Sequence, residues 1–310
     1  MNPFSPAFAP ETKSESRTVD VGFPLPLAPE IARDVSAALA EDVGAGDLTA
    51  ALIPIERIGV ATVIAREPAV LCGRAWFEAC FVRLDPMVKI DWFAKDGDRV
   101  SADQVLCEIR GNARALLTAE RSGLNFLQMM SGVASKTQVY ADVVVGTRAQ
   151  VVDTRKTLPG LRIAQKYAVR VGGGANHRLA LWDAILIKEN HIMAAGSITL
   201  ALEAARKVSV GAAGRCRFIQ VEVENLTELT EALAAGAEMV LLDNFSLELL
   251  RKAVELNERK GSNAILEASG GVSLDGLRAI AETGVDRISI GGLTKDVKAL
   301  DLSMRFKVAN

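Results

Sequence analysis

The sequence predicts an α/β protein in which a small α+β domain is followed by a series of β-α units. Three observations predict this fold class. Between Ala61 and Arg110, short β-rich runs alternate with turns. A long stretch with helical spacing of its apolar residues begins near Leu116. Beyond it, short apolar runs alternate with helical patterns, which is typical of parallel strands that are buried on both faces.

The composition excludes several classes of protein. The chain has 310 residues, a formal net charge of −2 and 49% hydrophobic residues, which excludes a disordered chain and argues against nucleic-acid binding. Its 4 cysteines form no CxxC pair, so we expect no zinc site and a reducing compartment. No apolar run approaches the roughly 20 residues of a membrane helix, and the first residues do not read as a signal peptide. We therefore expect a cytoplasmic protein without membrane or nucleic-acid partners.

The elements before the long helix are predicted in order from local signals. Residues 1–30 contain six of the 10 prolines and are expected to form a flexible arm. Residues 31–40 have the apolar spacing of a helix, and a glycine-bearing loop follows at 41–49. The KDGD sequence at Lys95–Asp98 is a hairpin signal.

Six apolar runs after the long helix are predicted as strands. They are AQVVDT (149–154), AILIKEN (184–190), FIQVEVEN (218–225), EMVLLDN (238–244), AILEASGG (264–271) and RISIGG (287–292). Such repeats fit either a barrel or an open doubly wound sheet, and length alone does not decide between the two. Every run ends in charged, polar or glycine residues. Because the carboxyl ends of barrel strands meet at one mouth, this shared ending predicts a functional site there.

The segment between Asp153 and His191 has a local basic excess. It contains both histidines of the chain, His177 and His191, and seven cations: Arg155, Lys156, Arg162, Lys166, Arg170, Arg178 and Lys188. This excess predicts an anionic substrate. We interpret Lys166 and Arg170 as a solvated helix face. Lys188 lies in the apolar run AILIK, so it needs an anionic partner or substrate to offset its desolvation.

Acidic and glycine residues complete the pattern. Glu222 and Asp243 end consecutive predicted strands, which suits Mg²⁺ held together with substrate phosphates, although an ion pair with Lys188 is the alternative. The glycine pairs in 268–271 and 290–292 follow the last two strands, where βα barrels often bind phosphate. Arg121 on the long helix is either a surface residue or part of a site across a subunit boundary. The residue pattern alone does not distinguish these two alternatives.

Together these segments resemble the quinolinate phosphoribosyltransferase family, the carboxylating nicotinate-nucleotide pyrophosphorylases. The matching pieces are EDVGAGDLT (41–49), ERSGLNFLQMMSGVAS (120–135), DTRKTLPGLR (153–162), KYAVRVGGGANHRLALWDAILIKENH (166–191), VEVEN (221–225), LLDN (241–244), EASGGV (267–272) and ISIGGLT (288–294). The resemblance implies an irregular α/β barrel with an N-terminal α/β sandwich domain, as in type II phosphoribosyltransferases. It places the sandwich at 31–131, joined by the tail 293–310, and the barrel at 132–292.

The implied activity is that of a pentosyltransferase in NAD biosynthesis. It joins quinolinate to phosphoribosyl pyrophosphate (PRPP) with Mg²⁺ and yields nicotinate mononucleotide, pyrophosphate and CO₂. The implied assembly is a homodimer or higher homo-oligomer with shared active sites. Two alternatives remain at this point: a molybdenum-locus pyrophosphorylase-like paralogue with another acceptor, and a catalytically silent binding protein. A nicotinate phosphoribosyltransferase fits less well, because it handles one carboxylate.

The resemblance also implies a role for individual residues. Those expected around quinolinate are Arg121 of a neighbouring subunit, Arg155, His177, Arg178 and Lys188. Lys156 is expected between the two substrates, with Thr154 also in the binding set. Glu222 and Asp243 are expected to face the ribose hydroxyls and the metal, so Lys156, Lys188, Glu222 and Asp243 form the predicted catalytic group. The 5-phosphate is expected at the backbone of Ser269, Gly270, Gly271, Ile290, Gly291 and Gly292.

The sequence departs from the family pattern at two places. Lys295-Asp296 stand where the family often has histidine-serine, so Lys295 either serves the same phosphate or the contact is absent. Glu189 replaces a common aspartate, which should leave Lys188 unaffected.

Overall fold

The computed structural model describes residues 28–212 and 214–307. The predicted arm therefore lies outside the described residues up to position 27. Its last three residues instead form the first turn of helix α1 (Ala28–Val43). Pro29 fits there because an N–H in the first turn of a helix has no intrahelical acceptor to lose.

An antiparallel sheet forms the core of the first half. Its strands and the helix that packs on it are β1 (Ile58–Ala65), α2 (Arg74–Leu84), β3 (Lys89–Trp92) and β5 (Val105–Asn112), with a short pair β2 (Ala69–Val70) and β4 (Arg99–Val100) beside them. Alternate residues of β1 are buried, as expected for a strand with one face on the core. The fourth strand of the sheet is β12 (Leu302–Lys307), which pairs antiparallel with β1, so the order is β12-β1-β5-β3.

The predicted hairpin at Lys95–Asp98 is a turn but not a hairpin. Asp98 N–H donates to Lys95 O at 3.0 Å, and Gly97 adopts the left-handed φ of +95° that such a turn requires. However, β3 before the turn pairs with β5, whereas β4 after it pairs with β2. The prediction was wrong about pairing because a turn motif reports only local geometry.

Helix α3 (Ala113–Val144) runs beside both halves of the chain. The Asn112 side chain caps its start by accepting from Ala115 N–H at 3.2 Å. The helix extends beyond the predicted run, and Gly132 lets another part of the chain cross it closely: a Cβ there would lie 2.1 Å from Lys298 O. Over 28–212 and 214–307, no helix is both long and apolar enough to cross a membrane.

The second half contains all six predicted strands, each shorter than its apolar run. They are β6 (Gln150–Val152), β7 (Ile185–Ile187), β8 (Ile219–Val223), β9 (Met239–Asp243), β10 (Ile265–Ser269) and β11 (Arg287–Ser289). Between and after them lie α4 (Arg162–Val171), α5 (Glu189–Ala195), α6 (Ile198–Gly211), α7 (Leu226–Ala234), α8 (Leu247–Arg259), α9 (Leu274–Ala281) and α10 (Gly292–Lys295).

The six strands form one parallel sheet in the order β6-β11-β10-β9-β8-β7 within the described residues. Between β6 and β7, irregular backbone takes the place of ladder pairing. Ala175 N–H donates to Val151 O at 2.8 Å, and Asp153 N–H donates to Ala175 O at 3.1 Å. The structure thus confirms the predicted irregular α/β barrel after a separate antiparallel sheet.

The two faces of the barrel sheet differ in chemistry. Val221, Val240 and Leu266 point to one face and belong to the main core beneath the helices. The opposite face carries alternating positions of the same strands, including Glu222 and Glu267. One end of this inner face is closed by a small apolar cluster of Ala184, Phe218, Met239 and Ile265. Polar groups lie on the inner face nearer the carboxyl ends of the strands.

Candidate functional site

Lys188 and Glu222 lie at the carboxyl ends of neighbouring strands and form an ion pair. The Lys188 side chain is 48% exposed and that of Glu222 only 14% exposed. Glu222 thus contacts Lys188 in this structure, and its role as a metal ligand stays a prediction. Asp243, the last residue of β9, instead accepts from the Asn244 side-chain amide at 2.7 Å.

Lys188 is not embedded in a strand, contrary to the sequence interpretation. Strand β7 ends at Ile187, and Lys188 is the residue that precedes helix α5. Its N–H donates to Nδ1 of His191 at 3.0 Å, and His191 N–H donates back to Lys188 O at 2.8 Å. This reciprocal capping fixes the backbone of Lys188, so its ammonium group reaches the mouth of the barrel.

Arg155 and Arg178 are two further cations of the predicted site. Arg178 is only 8% exposed, and its Nη1 donates to Ala184 O at 3.3 Å. Burial lowers the pKa of the Arg178 guanidinium, and the nearby Arg155 charge lowers it further. The Nε of Arg155 is buried and has no hydrogen-bond acceptor among the described residues. A buried guanidinium and a second one with an unused buried donor favour an anionic ligand at this site.

Lys156 lies at the exposed rim, in a turn that Thr154 stabilises. The Thr154 hydroxyl accepts from Lys156 N–H at 3.0 Å, and the Thr294 hydroxyl donates to Lys156 O at 2.8 Å. A Cβ on Gly291 would come within 3.0 Å of Lys156 Cδ. The lysine stem therefore passes directly over the turn that follows β11.

The turn after β10 depends on glycine. Gly270 has a φ of +105°, and a Cβ there would lie 2.0 Å from Oδ1 of Asn244. Asn244 is itself left-handed, with a φ of +56°, and its N–H donates to Ser269 O at 2.9 Å. In the turn after β11, Ile290 N–H donates to Val152 O at 2.9 Å. That N–H is thus already used within the protein.

Arg121 lies apart from the other predicted site residues. It is exposed on α3 and lines a cavity of about 630 Å³ together with α1 residues such as Arg33 and the loop residues Pro159 and Leu161. Among the described residues lining that cavity, no other is a predicted site residue. Within one chain, the cavity that Arg121 lines therefore joins α1 and α3 to the loop that follows β6.

His177 lies inside the barrel rather than at its rim, with 5% of its surface exposed. Both ring nitrogens are engaged: Nδ1 accepts from Arg178 N–H at 2.7 Å, and Nε2 lies 2.7 Å from Oε1 of Gln220. Because Nδ1 accepts, the hydrogen-bond pattern assigns the proton to Nε2. Burial lowers the pKa of His177, opposed by Glu267, so the ring is neutral at pH 7.

The interpretation of Lys166 as part of a solvated helix face was wrong. Lys166 is 3% exposed and forms a buried ion pair with Asp153. Its ammonium also donates to His177 O at 3.1 Å, and Asn176 Nδ2 donates to Asp153 Oδ2 at 2.6 Å. Helical spacing alone did not reveal that this face of α4 packs against the barrel. Arg170, on the same helix, is exposed as expected.

Sequence reasoning also missed a polar layer, by which we mean Gln220, Glu267 and Arg287. These residues lie on β8, β10 and β11 and are 0%, 0% and 5% exposed. Arg287 Nε lies 3.2 Å from Oε2 of Glu267. Burial by itself would raise the pKa of Glu267, but His177 and Arg287 hold it below its ordinary value. A signal was available, because charged residues inside AILEASGG and RISI are as unusual as Lys188 in AILIK.

The fold and these residues define an α/β-barrel protein with a strongly charged candidate site at the carboxyl ends of its strands. Residues 47–131 match the family model of the quinolinate phosphoribosyl transferase N-terminal domain, and residues 133–305 match that of its C-terminal domain. The chain belongs to the quinolinate phosphoribosyl transferase family.

Relatives and solved structures agree with this assignment. The chain is 42% identical to a probable nicotinate-nucleotide pyrophosphorylase [carboxylating] of Bacillus subtilis, covering 87% of this chain and 91% of the relative. It is also 42% identical to the Mycobacterium leprae nicotinate-nucleotide pyrophosphorylase [carboxylating], covering 89% and 97%. The structure of the Francisella tularensis nicotinate-nucleotide pyrophosphorylase superposes with a TM-score of 0.84 at 44% identity, covering 90% and 96%.

Proposed function

We propose that this protein is a carboxylating nicotinate-nucleotide pyrophosphorylase, a pentosyltransferase that converts quinolinate and PRPP to nicotinate mononucleotide, pyrophosphate and CO₂ in NAD biosynthesis. The buried Arg178 guanidinium, together with the unpartnered buried Nε of Arg155, carries the proposal. Quinolinate has two carboxylates, whose negative charges would balance these two cations. Lys188 offers a further cation at the same end of the sheet.

In the proposed reaction, the pyridine nitrogen of quinolinate bonds to C1 of the ribose as the bond from C1 to pyrophosphate breaks. C1 gains positive charge in the transition state, and the carboxylates of Glu222 and Asp243 would stabilise that charge. Holding the nitrogen in line with C1 supplies a proximity effect, which is the task assigned to Arg155, Arg178 and Lys188.

Decarboxylation then breaks the bond between C2 and its carboxylate. The ring nitrogen, now cationic, accepts the electron density left on C2, which afterwards takes up a proton. Cations near this carboxylate should orient it without binding it tightly, because strong ground-state binding of the departing group would oppose its loss. We assign Lys156, exposed at the rim between the two substrates, this orienting role.

Glu222 and Asp243 are the residues proposed to hold Mg²⁺. Over 28–212 and 214–307 no group of three or more acidic, histidine or cysteine side chains is arranged to hold a metal. Two carboxylates fit an ion whose remaining ligands are water and substrate phosphate. The acids at this edge also repel one another, since Glu189 raises the pKa of Glu224 with Asp243 and Glu222 adding to the rise. When bound, Mg²⁺ would neutralise charge on the departing pyrophosphate.

The glycine turns are the proposed site of the 5-phosphate. Backbone N–H groups in glycine turns can approach a phosphate closely, and the Cβ clash at Gly270 shows how little space that turn leaves. Because Ile290 N–H is already bonded to Val152, Gly291 and Gly292 would supply the donors of the second turn.

The proposed assembly is a homodimer, or a higher homo-oligomer, in the cytoplasm. Arg121 lies away from the other site residues of its own chain, which supports its assignment to the site of a neighbouring subunit. All 4 cysteines lie in the described ranges as free thiols, which suits a reducing compartment.

An assay of the purified protein tests the proposed function. Incubation with quinolinate, PRPP and Mg²⁺ should release CO₂ and nicotinate mononucleotide in equal amounts, and omission of PRPP should stop both. A parallel incubation uses nicotinate in place of quinolinate. Product from nicotinate but not from quinolinate would overturn the substrate assignment. No product from either acceptor would overturn the proposed activity.

A further inference from the structure

The polar layer of Gln220, Glu267 and Arg287 lies inside the barrel sheet, and no hydrogen bond or ion pair among the described residues joins it to the predicted catalytic group. Glu267 is ion-paired with Arg287 and lies near His177. Even so, several buried polar atoms of the layer lack a well-oriented hydrogen bond among the described residues: Gln220 Nε2, both Glu267 carboxylate oxygens, Arg287 Nε and Arg287 Nη2. Burying such groups is costly, and the apolar cluster formed by Met239 and Ile265 on the same face shows that this interior also accepts apolar residues. Packing alone therefore does not explain why these positions are polar.

One continuous path of contacts leads from the polar layer to the site. Gln220 Oε1 lies 2.7 Å from Nε2 of His177, and Glu267 Oε1 lies 3.6 Å from the same nitrogen. On the other side of the ring, His177 Nδ1 accepts from Arg178 N–H at 2.7 Å. Arg178 is the buried arginine whose guanidinium is assigned to quinolinate. A single imidazole thus separates the layer from a proposed substrate ligand.

Both hydrogen bonds of the His177 ring form only when its proton is on one particular nitrogen. With the proton on Nε2, the ring donates to Gln220 and accepts from Arg178 N–H. With the proton on Nδ1, two N–H groups would face each other at Arg178, and a lone pair on Nε2 would face two oxygens. The oxygens of Gln220 and Glu267 therefore select the tautomer that bonds the Arg178 backbone.

We infer that Gln220 is a positioning residue: it acts through the His177 ring to fix the Arg178 peptide, and so aims the Arg178 guanidinium at a carboxylate of the acceptor. The inference rests on the proposed function, because it assigns Arg178 to quinolinate. Glu267, held by Arg287, supports the same tautomer from a greater distance. In this arrangement His177 acts on the substrate site through the backbone of Arg178.

The test compares Gln220→Leu with Asn257→Leu in kinetic assays with quinolinate and PRPP. Asn257 is a matched control, because it is also a buried amide (3% exposed) but lies on α8 and donates to Ala264 O. Both variants should lower the melting temperature. Only Gln220→Leu should raise the KM for quinolinate, by about tenfold for one unpaired buried group, with the KM for PRPP unchanged.

A double-mutant cycle shows whether the effect passes through Arg178. Gln220→Leu combined with Arg178→Ala should be no worse than Arg178→Ala alone, because the positioned side chain is already absent. Effects that multiply, or a quinolinate KM that does not change in Gln220→Leu, would overturn the inference. In either case turnover by the unaltered enzyme would still support the proposed function. If the unaltered enzyme makes no product from quinolinate, the function and the inference both fail.

Substitutions of His177 provide a second test of this inference if Gln220→Leu does not fold. The Oδ1 atom of Asn occupies the position of the histidine Nδ1, so His177→Asn should still accept from Arg178 N–H and keep its quinolinate KM within about threefold, less than the loss of one hydrogen bond. His177→Leu lacks that acceptor and should show the same rise as Gln220→Leu. Equal damage from both substitutions would contradict a role that passes through the Arg178 backbone.

Discussion

Lys188 and Glu222 are joined by an ion pair that bridges the carboxyl ends of strands β7 and β8. Each partner of the pair has a separate proposed role, Lys188 with an acceptor carboxylate and Glu222 with the ribose and Mg²⁺. Substrate binding in the proposed mechanism therefore exchanges this internal pair for two contacts with ligands. Because Lys188 is half exposed, the exchange requires no movement of the barrel core.

Replacing Lys188 with Ala should reduce kcat/KM for quinolinate by roughly 10- to 150-fold, the usual contribution of one charged hydrogen bond. Steady-state assays at saturating PRPP would measure the loss. Lys252→Ala is the matched control, because Lys252 forms an exposed ion pair with Glu248 on α8, away from the site. Unchanged kinetics in Lys188→Ala would remove this residue from the proposed site.

Replacing Lys156 with Ala should greatly reduce carboxylating turnover, because the proposed mechanism places its ammonium between the two substrates. The measurement is CO₂ release together with nicotinate mononucleotide formation. Lys298→Ala serves as the control, since that side chain is 87% exposed and forms an ion pair with Glu67. If Lys156→Ala turned over normally, the orienting role given to this lysine would be wrong.

Two glycine substitutions should differ in effect, although both turns are proposed phosphate sites. Gly270→Ala puts a Cβ 2.0 Å from Asn244 Oδ1 at a φ of +105°, so the turn must rearrange and PRPP binding should be lost. Gly291→Ala meets only the flexible stem of Lys156 at 3.0 Å, so it should fold normally and raise the KM for PRPP modestly. Titration of PRPP in each variant measures both effects. Equal PRPP binding in the two variants would contradict this use of the β10 turn.

The free energy of unfolding should decrease as the pH falls below about 6.5, the ordinary pKa of histidine. Burial lowers the pKa of His177 in the folded state, so in this range the unfolded chain takes up a proton that the folded chain does not. One such group contributes at most about 1.4 kcal/mol per pH unit. Denaturant titrations between pH 5.5 and 7.5 should therefore show a weaker pH dependence for His177→Asn. An identical slope in the two proteins would mean that His177 has the same pKa in the folded and unfolded states.

Mixing two impaired variants tests the shared site. Arg121→Ala and Lys188→Ala, co-refolded in equal amounts, should regain activity if the two residues serve one site from different chains. Random pairing in a dimer leaves one intact site in each mixed pair, or about a quarter of all sites. The measurement is turnover of the mixture against each variant refolded alone. No recovery would place Arg121 in the site of its own chain.

Much of the fold was predictable because its strongest signals are local. Apolar runs as long as AILIKEN and EMVLLDN predicted strands β7 and β9, and their polar ends predicted which edge of the sheet carries chemistry. The ion pair of Lys188 with Glu222 was one of two alternatives that this placement offered. The resemblance to a family added the closure of the sheet into an irregular barrel, which periodicity did not determine.

The buried polar groups were harder to predict. Whether Lys166 faces solvent or the sheet depends on how α4 packs, and ten helical residues with a polar face do not encode that choice. Gln220 and Glu267 are hidden for a related reason, since alternation along a strand does not say which face is the barrel interior. The position of Arg121 relative to a second subunit depends on contacts between chains.

The pairing of β1 with β12 affects how the chain is made. Strand β1 begins at Ile58, and its neighbour β12 ends at Lys307, so the first sheet lacks one edge until nearly the whole sequence has been synthesised. The parallel strands are all available earlier, because β11 ends at Ser289. On the ribosome, therefore, the second half of this protein can assemble before the first half is finished, and β1 must keep an unpaired edge throughout translation of the barrel.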